Sequence, residues 1–160
     1  EVAVLPSQTK SKIKSINFFD KEYTSAKRGS SVTITLEDNV NVSRGDMLVK
    51  VNEVPTIAKQ IDATICWMDS APLEVSQKYY IRHGVNDAQA KITRLASIIK
   101  TDFSGIEENP SELALNQIGD IQLKLSKPLL FDSYKDNKSN GSFILINPKT
   151  NNTVGVGFIK

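Results

Sequence analysis

One cysteine, one histidine and one tryptophan stand among the 160 residues, and each scarcity removes a class of function. A lone Cys66 cannot build an internal disulfide framework or a multi-thiolate zinc site. With His83 as the sole imidazole, a catalytic triad or a histidine metal cluster has little material. No run of about 18 apolar residues occurs, so no membrane-spanning helix and no membrane partner are expected. The opening residues, EVAVLPSQTK, have neither the basic start nor the apolar centre of a secretory signal, and no initiating Met. A cytoplasmic protein is expected, and one cut or processed from a longer chain. Lys and Arg number 20 against 18 Asp and Glu, for a net charge of +2. Nucleic-acid-binding domains concentrate basic charge far more strongly, so the balance speaks against a nucleic-acid partner.

Phosphate-binding motifs are missing too. No G-x-x-x-x-G-K-[ST] is present, so no P-loop can form. VGVGFI (Gly155, Gly157) lacks a third glycine and a following helix, DFSG (102–105) is a short match of the kind chance produces, and NKSN lacks the Asp of a guanine-reading N-K-x-D.

What is present is strand signal along nearly the whole chain. SVTITLED alternates Val32, Ile34 and Leu36 against Thr33, Thr35 and Glu37, the period of a half-buried strand. IDATICWM does the same through Ile61, Ala63, Ile65 and Trp67, and IGDIQLKLSKPL through Ile121, Leu123 and Leu125. KYYIRHG ends at Gly84, a natural turn residue. SFILINPKTNNTVGVGFIK reads as two strands joined by a polar turn at Asn147–Asn152. DAQAKITRLASIIK stands apart: Ile92, Leu95 and Ile99 have helical spacing, and the Ala, Lys and Arg content favours helix. Many short strands separated by turns suggest a barrel or sandwich. A shift at NEVPTIAKQ suggests two units: 1–52, short for a complete barrel, and 53–160, long enough for its own core.

Few residues invite chemistry. Arg82 and His83, adjacent at a strand end, form a candidate pair for phosphate contact or general base work, against a plain packing role for the histidine. KIKSINFF reads as a strand placing Lys10, Lys12 and Lys14 on one face, a row that suits a phosphate backbone or simply a solvated surface. Glu37-Asp38 and Glu107-Glu108 lie in turn-like sequence, where nothing splits two carboxyl pKa values for acid–base work. NVSRGDMLVK joins a glycosylation sequon to an Arg44-Gly45-Asp46 tripeptide. Four sequons begin at Asn41, Asn137, Asn140 and Asn151, and without a secretory signal they are expected to go unused. No catalytic, cofactor-binding or metal-binding residue is expected in the chain, which leaves Arg82, His83, Lys10, Lys12 and Lys14 as interaction candidates.

Several strings together resemble a known family. VLPSQTKSKIKSINFFDKEYTSAKRGSSVTITLEDNVNVSRGDMLV resembles the latter part of the second domain of translation-type GTPases. There, a "G-x-x-V-x-x-x-L" strand and an "RGD-x-L" turn close a small β-barrel. ICWMDSAPLEVSQKYYIRHG resembles the opening of their third domain, and LALNQIGDIQLKLSKPLLFDSYKDNKSNGSFILINPKTNNTVGVGFI its end. WMDSAPL, KYYIRHG and FDSYKDNKSNGSFILINPKTNNTVGVGFI resemble, within that superfamily, the GTPase subunit of bacterial ATP sulfurylase (sulfate adenylyltransferase subunit 1). Asn147, where an acidic residue is common, and Val156, where a small one is, depart modestly from the pattern.

The resemblance implies an all-β fold: part of a translation-factor domain 2 barrel over 1–52, then a complete six-stranded elongation-factor-like domain 3 barrel over 53–160. It turns AKITRLASIIK from a helix into a long strand of the third domain. It implies that GTP and Mg belong to an upstream domain, with none bound by this chain. The expected partners are that GTPase domain and the small adenylyltransferase subunit, on which adenylyl transfer from ATP to sulfate takes place. A half-barrel exposes strand edges and an apolar face, so a homodimer or strand exchange through 1–52 is expected. An RNA-binding module using the lysine row, and an adhesion module built on Arg44-Gly45-Asp46, are the readings from other classes.

Overall fold

The computed structural model describes residues 1–102 and 104–160, and no helix occurs among them. The chain divides into two compact units, Glu1–Val54 and Pro55–Lys160.

The first unit holds six short strands: β1 (Val2–Leu5), β2 (Thr9–Ser11), β3 (Ile13–Phe18), β4 (Lys21–Tyr23), β5 (Thr33–Leu36) and β6 (Met47–Lys50). They form two antiparallel three-stranded sheets, β2-β1-β6 and β4-β3-β5. All four residues of β1 are buried. The second sheet is different. Ile16 stands opposite both Tyr23 and Ile34, and a register shift between Ile13 and Ser15 swings Ile13 onto the same side, opposite Leu36. Ile13, Phe18, Tyr23 and Ile34 on that side remain between 39% and 45% exposed. The reverse side is polar, with Ser15 Oγ 2.6 Å from Thr35 Oγ1 and Asn17 Nδ2 donating to Ser15 Oγ at 2.8 Å. This sheet is amphipathic, and its apolar side is half covered.

The second unit is a closed barrel. Its strands are β7 (Thr56–Trp67), β8 (Lys78–His83), β9 (Asn86–Ile99), β10 (Ile106–Glu108), β11 (Ile118–Phe131), β12 (Ser142–Ile146) and β13 (Thr153–Ile159). Antiparallel pairing runs β9-β11-β7-β13-β12-β8 and returns from β8 to β9, which closes six strands; β10 is a short addition along the far half of β9. Closure leaves the six-stranded ring without a long open edge. Alternation supplies the core: Ile61, Ala63, Ile65 and Trp67 point inward from β7, and Ile121, Leu123 and Leu125 from β11, all buried. Trp67 meets Tyr79 edge-on, with ring centroids 5.7 Å apart, and its indole N–H donates to the Ala71 carbonyl at 2.8 Å.

DAQAKITRLASIIK is strand as far as Ile99, as the family resemblance implies and as its helix propensity does not. The apparent helical spacing has a local cause. Against β11, Leu123 pairs Ile92 while Ile121 pairs Leu95, and Asp120 pairs Ser97, so Thr93 and Ala96 are extra residues in β9. Each bulge adds one residue to the strand period, so the inward positions Ile92, Leu95 and Ile98 fall three apart and mimic a helix, while Ile99 of the apparent helical set is not one of them.

Candidate interaction surface

Alternation on β8 decides the fate of the Arg82–His83 pair. Lys78, Tyr80 and Arg82 face outward, whereas Tyr79, Ile81 and His83 face into the barrel. Arg82 makes a two-pronged contact with Asp87 directly across the β8–β9 ladder, Nε to Oδ1 and Nη2 to Oδ2, both at 2.8 Å. Those hydrogen bonds raise the guanidinium pKa and hold the Asp87 carboxyl below its ordinary range. His83 is buried, and its Nε2 lies 2.8 Å from the Asn140 carbonyl. A carbonyl only accepts, so Nε2 carries the hydrogen. The same carbonyl accepts from the Asp132 N–H at 3.2 Å, and Asp132 Oδ2 accepts from the side-chain amides of Asn137 and Asn140. His83 therefore ties β8 to the 132–141 loop, and the two neighbours in sequence do not converge on one ligand.

The lysine row does not share one strand. Lys10 lies in β2, Lys14 in β3, and Lys12 at the break between them, in two different sheets. The break follows from Ser11, which is buried and donates its hydroxyl to Asp38 Oδ2 at 2.8 Å. The three lysines are exposed but do not lie along one strand.

Arg44-Gly45-Asp46 forms a tight turn: the Asp46 N–H donates to the Ser43 carbonyl at 3.0 Å, and the Ser43 N–H donates to Asp46 Oδ2 at 2.8 Å. Gly45 sits at φ +99°, which the turn requires and a side chain would resist. The strand leaving the turn, β6, pairs with β1, so this string is a turn into a sheet and not a hairpin with the residues before it. Gly155 and Gly157 are spoken for as well. A Cβ on Gly155 would lie 2.7 Å from Ile65 Cδ1, and one on Gly157 would strike the Phe143 ring. These glycines admit core side chains, so they do not fit a phosphate cradle. Within DFSG, Phe103 lies outside the described residues. Among the described residues, no group of three His, Cys, Asp or Glu side chains is placed to hold a metal.

Two outward features were invisible in the sequence because both arise from register. Asp120 on β11 lies between Thr64 of β7 and Ser97 of β9. Its carboxylate accepts from Thr64 Oγ1 at 2.7 Å, from Ser97 Oγ at 3.2 Å and from Lys160 Nζ at 2.8 Å. Burial works to raise this carboxyl, and the hydrogen bonds from Lys160, Thr64 and Ser97 outweigh it, so its pKa is lowered. The second feature is a rung of cations. Lys78 pairs Lys91, and Lys91 pairs Lys124, on three adjacent strands.

Comparison with known proteins places this geometry. Residues 60–160 match the family described as GTP-eEF1A C-terminal domain-like. The chain is 40% identical to sulfate adenylyltransferase subunit 1 of Shewanella woodyi, over 99% of this chain and 34% of that protein. It is 39% identical to the protein of the same name from Bacteroides thetaiotaomicron, again over 99% and 34%. It is 36% identical to the bifunctional enzyme CysN/CysC of Mycobacterium tuberculosis, over 99% of this chain and 26% of that one. The chain thus spans about a third or less of the curated relatives it matches. Among solved structures, Sup35 complexed with GMPPNP superposes with a TM-score of 0.85 at 16% identity, covering 99% of this chain and 39% of that one. Elongation factor SelB of Methanococcus maripaludis, apo form, gives 0.78 at 20%, covering 99% and 35%. At such identities the likeness is one of fold.

Proposed function

The chain belongs to the GTP-eEF1A C-terminal domain-like family, and from that premise we propose that it is the non-catalytic β-barrel region of a sulfate adenylyltransferase GTPase subunit. The observation that carries this reading is the 40% identity to a sulfate adenylyltransferase subunit 1, sustained over 99% of the chain. In the proposed parent, GTP hydrolysis on an upstream domain is coupled to adenylyl transfer from ATP to sulfate on a small partner subunit, in the cytoplasm. GTP and Mg are assigned to that upstream domain. This chain's contribution is mechanical. A closed barrel deforms little, so switch loops docking on it convert nucleotide state into a change of domain arrangement.

Reading the gene tests the proposal. It should encode a P-loop GTPase upstream of Glu1 and lie beside a gene for a small adenylyltransferase. A start codon directly before Glu1, with no GTPase upstream, would overturn it. The RNA-binding alternative loses its geometric support with the splitting of Lys10, Lys12 and Lys14 between two sheets. A homodimer of the isolated chain is also proposed, supported by the half-covered apolar side of the β4-β3-β5 sheet.

A further inference from the structure

Lys78, Lys91 and Lys124 occupy one rung across β8, β9 and β11 on the outside of the barrel, and the rung continues to Gln60 on β7. All three lysines are exposed. Like charges directly opposite each other destabilise a sheet, and an acidic residue at any of the three positions would relieve that cost. None is there. On the adjoining rungs the outward neighbours Tyr80, Gln89, Gln122 and Ser126 are uncharged, and Arg94, opposite Gln122, adds a further cation. Asp62 stands a rung away, opposite Gln122, and Asp87 is engaged by Arg82. Among the described residues, none of the three lysines takes part in an ion pair.

We propose that this rung docks an acidic helix of a partner protein, one presenting carboxylates along a single face. Spacing supports the choice. Two strand-to-strand steps span about 10 Å, and seven residues of α-helix rise about 10.5 Å. Carboxylates at i, i+4 and i+7 therefore meet the three ammonium groups in turn. The flanking glutamine and serine side chains supply neutral donors and acceptors around the charges. Single-stranded nucleic acid fits less well: its binding uses aromatic platforms, and the rung has Tyr80 alone beside it. A net charge of +2 is also low for a nucleic-acid surface. The inference concerns this wall only and stands whether or not the parent is a sulfate adenylyltransferase.

The probes are two helical peptides of equal composition, one with its glutamates along one face and one with them spread around the axis. The faced peptide should bind the chain about tenfold more tightly at low salt, as three aligned charge pairs imply, and lose that advantage at high salt. The triple variant K78Q/K91Q/K124Q should abolish the difference while unfolding at the same or a higher urea concentration, since it removes like-charge repulsion. Lys91→Gln alone, at the centre of the rung, should weaken binding by about two- to threefold. Equal affinity for the two peptides would overturn the proposal. So would an equal loss from K10Q/K12Q/K14Q, or tighter binding to an RNA duplex than to the faced peptide.

Discussion

At Gly157 an added methyl would meet the ring of Phe143 across the β12–β13 ladder, where the two residues pair directly. Gly157→Ala should therefore lower stability by about 1–3 kcal/mol, the usual cost of overpacking a core, read from urea unfolding. Asp120 makes a prediction about pH. Burial raises its carboxyl and the bonds from Lys160, Thr64 and Ser97 more than compensate, leaving the folded value below the unfolded one. Stability from such a group is complete above the unfolded carboxyl value of about 3.9 and is lost as pH falls through the lower folded value. Asp120→Asn should then cost about 1 kcal/mol near neutral pH, and the gap to the parent chain should close as the pH falls through the lowered folded value. A gap that persists in acid would mean that the substitution acts through packing. Residues such as Asp120 show why sites are less legible than folds. Thr64, Ser97, Asp120 and Lys160 are far apart in the chain, and only register brings them together. Arg82 and His83 show the reverse, since adjacency in a strand means opposite faces.

Strand β9 carries the main lesson about elements. Its existence was legible only through the family resemblance, because its own residues spell a helix. Thr93 and Ala96 explain the conflict: each is an extra residue that resets which neighbours point inward. Deletion of Thr93 removes the extra residue, so Ile92, Arg94 and Leu95 should alternate in step with Leu123, Gln122 and Ile121, and both flanks of β9 should keep their faces. The variant should keep cooperative unfolding and the near-ultraviolet signal of the packed Trp67. A deletion variant that loses both would contradict the bulge assignment. Thr93→Ala is the control: it loses an exposed hydroxyl bond to the Gln122 carbonyl, 3.2 Å long, and should cost no more than about 1 kcal/mol. Ile61–Trp67 of β7 and Ile121–Leu125 of β11 were readable from alternation alone, since β7 and β11 pair without a register shift from Ile118 to Lys124.

At the scale of the molecule, the two units differ in how completely each covers its apolar surface. The barrel closes on itself, while the β4-β3-β5 sheet keeps Ile13, Phe18, Tyr23 and Ile34 half exposed. Sedimentation of the isolated chain should show concentration-dependent dimers, and Ile34→Glu should return it to monomer without lowering the stability of the barrel. A chain that stays monomeric at high concentration would rule the dimer out. Barrel closure has a further consequence, and it concerns force. The ring is sealed where its first strand, β7, meets its last, β13, with Ile159 opposite Ala63 and Gly155 opposite Trp67. Because these strands are antiparallel, the start of one and the end of the other leave through the same mouth of the barrel. A load drawn between them opens the seam one rung at a time, beginning at the Lys160 N–H bond to the Asp62 carbonyl. A load on the opposite mouth, between Trp67 and Thr153, meets the seam from its other end, past the Met68 N–H bond to Val154. In single-molecule pulling the barrel should yield as a zip, at low force, and not as a shear clamp.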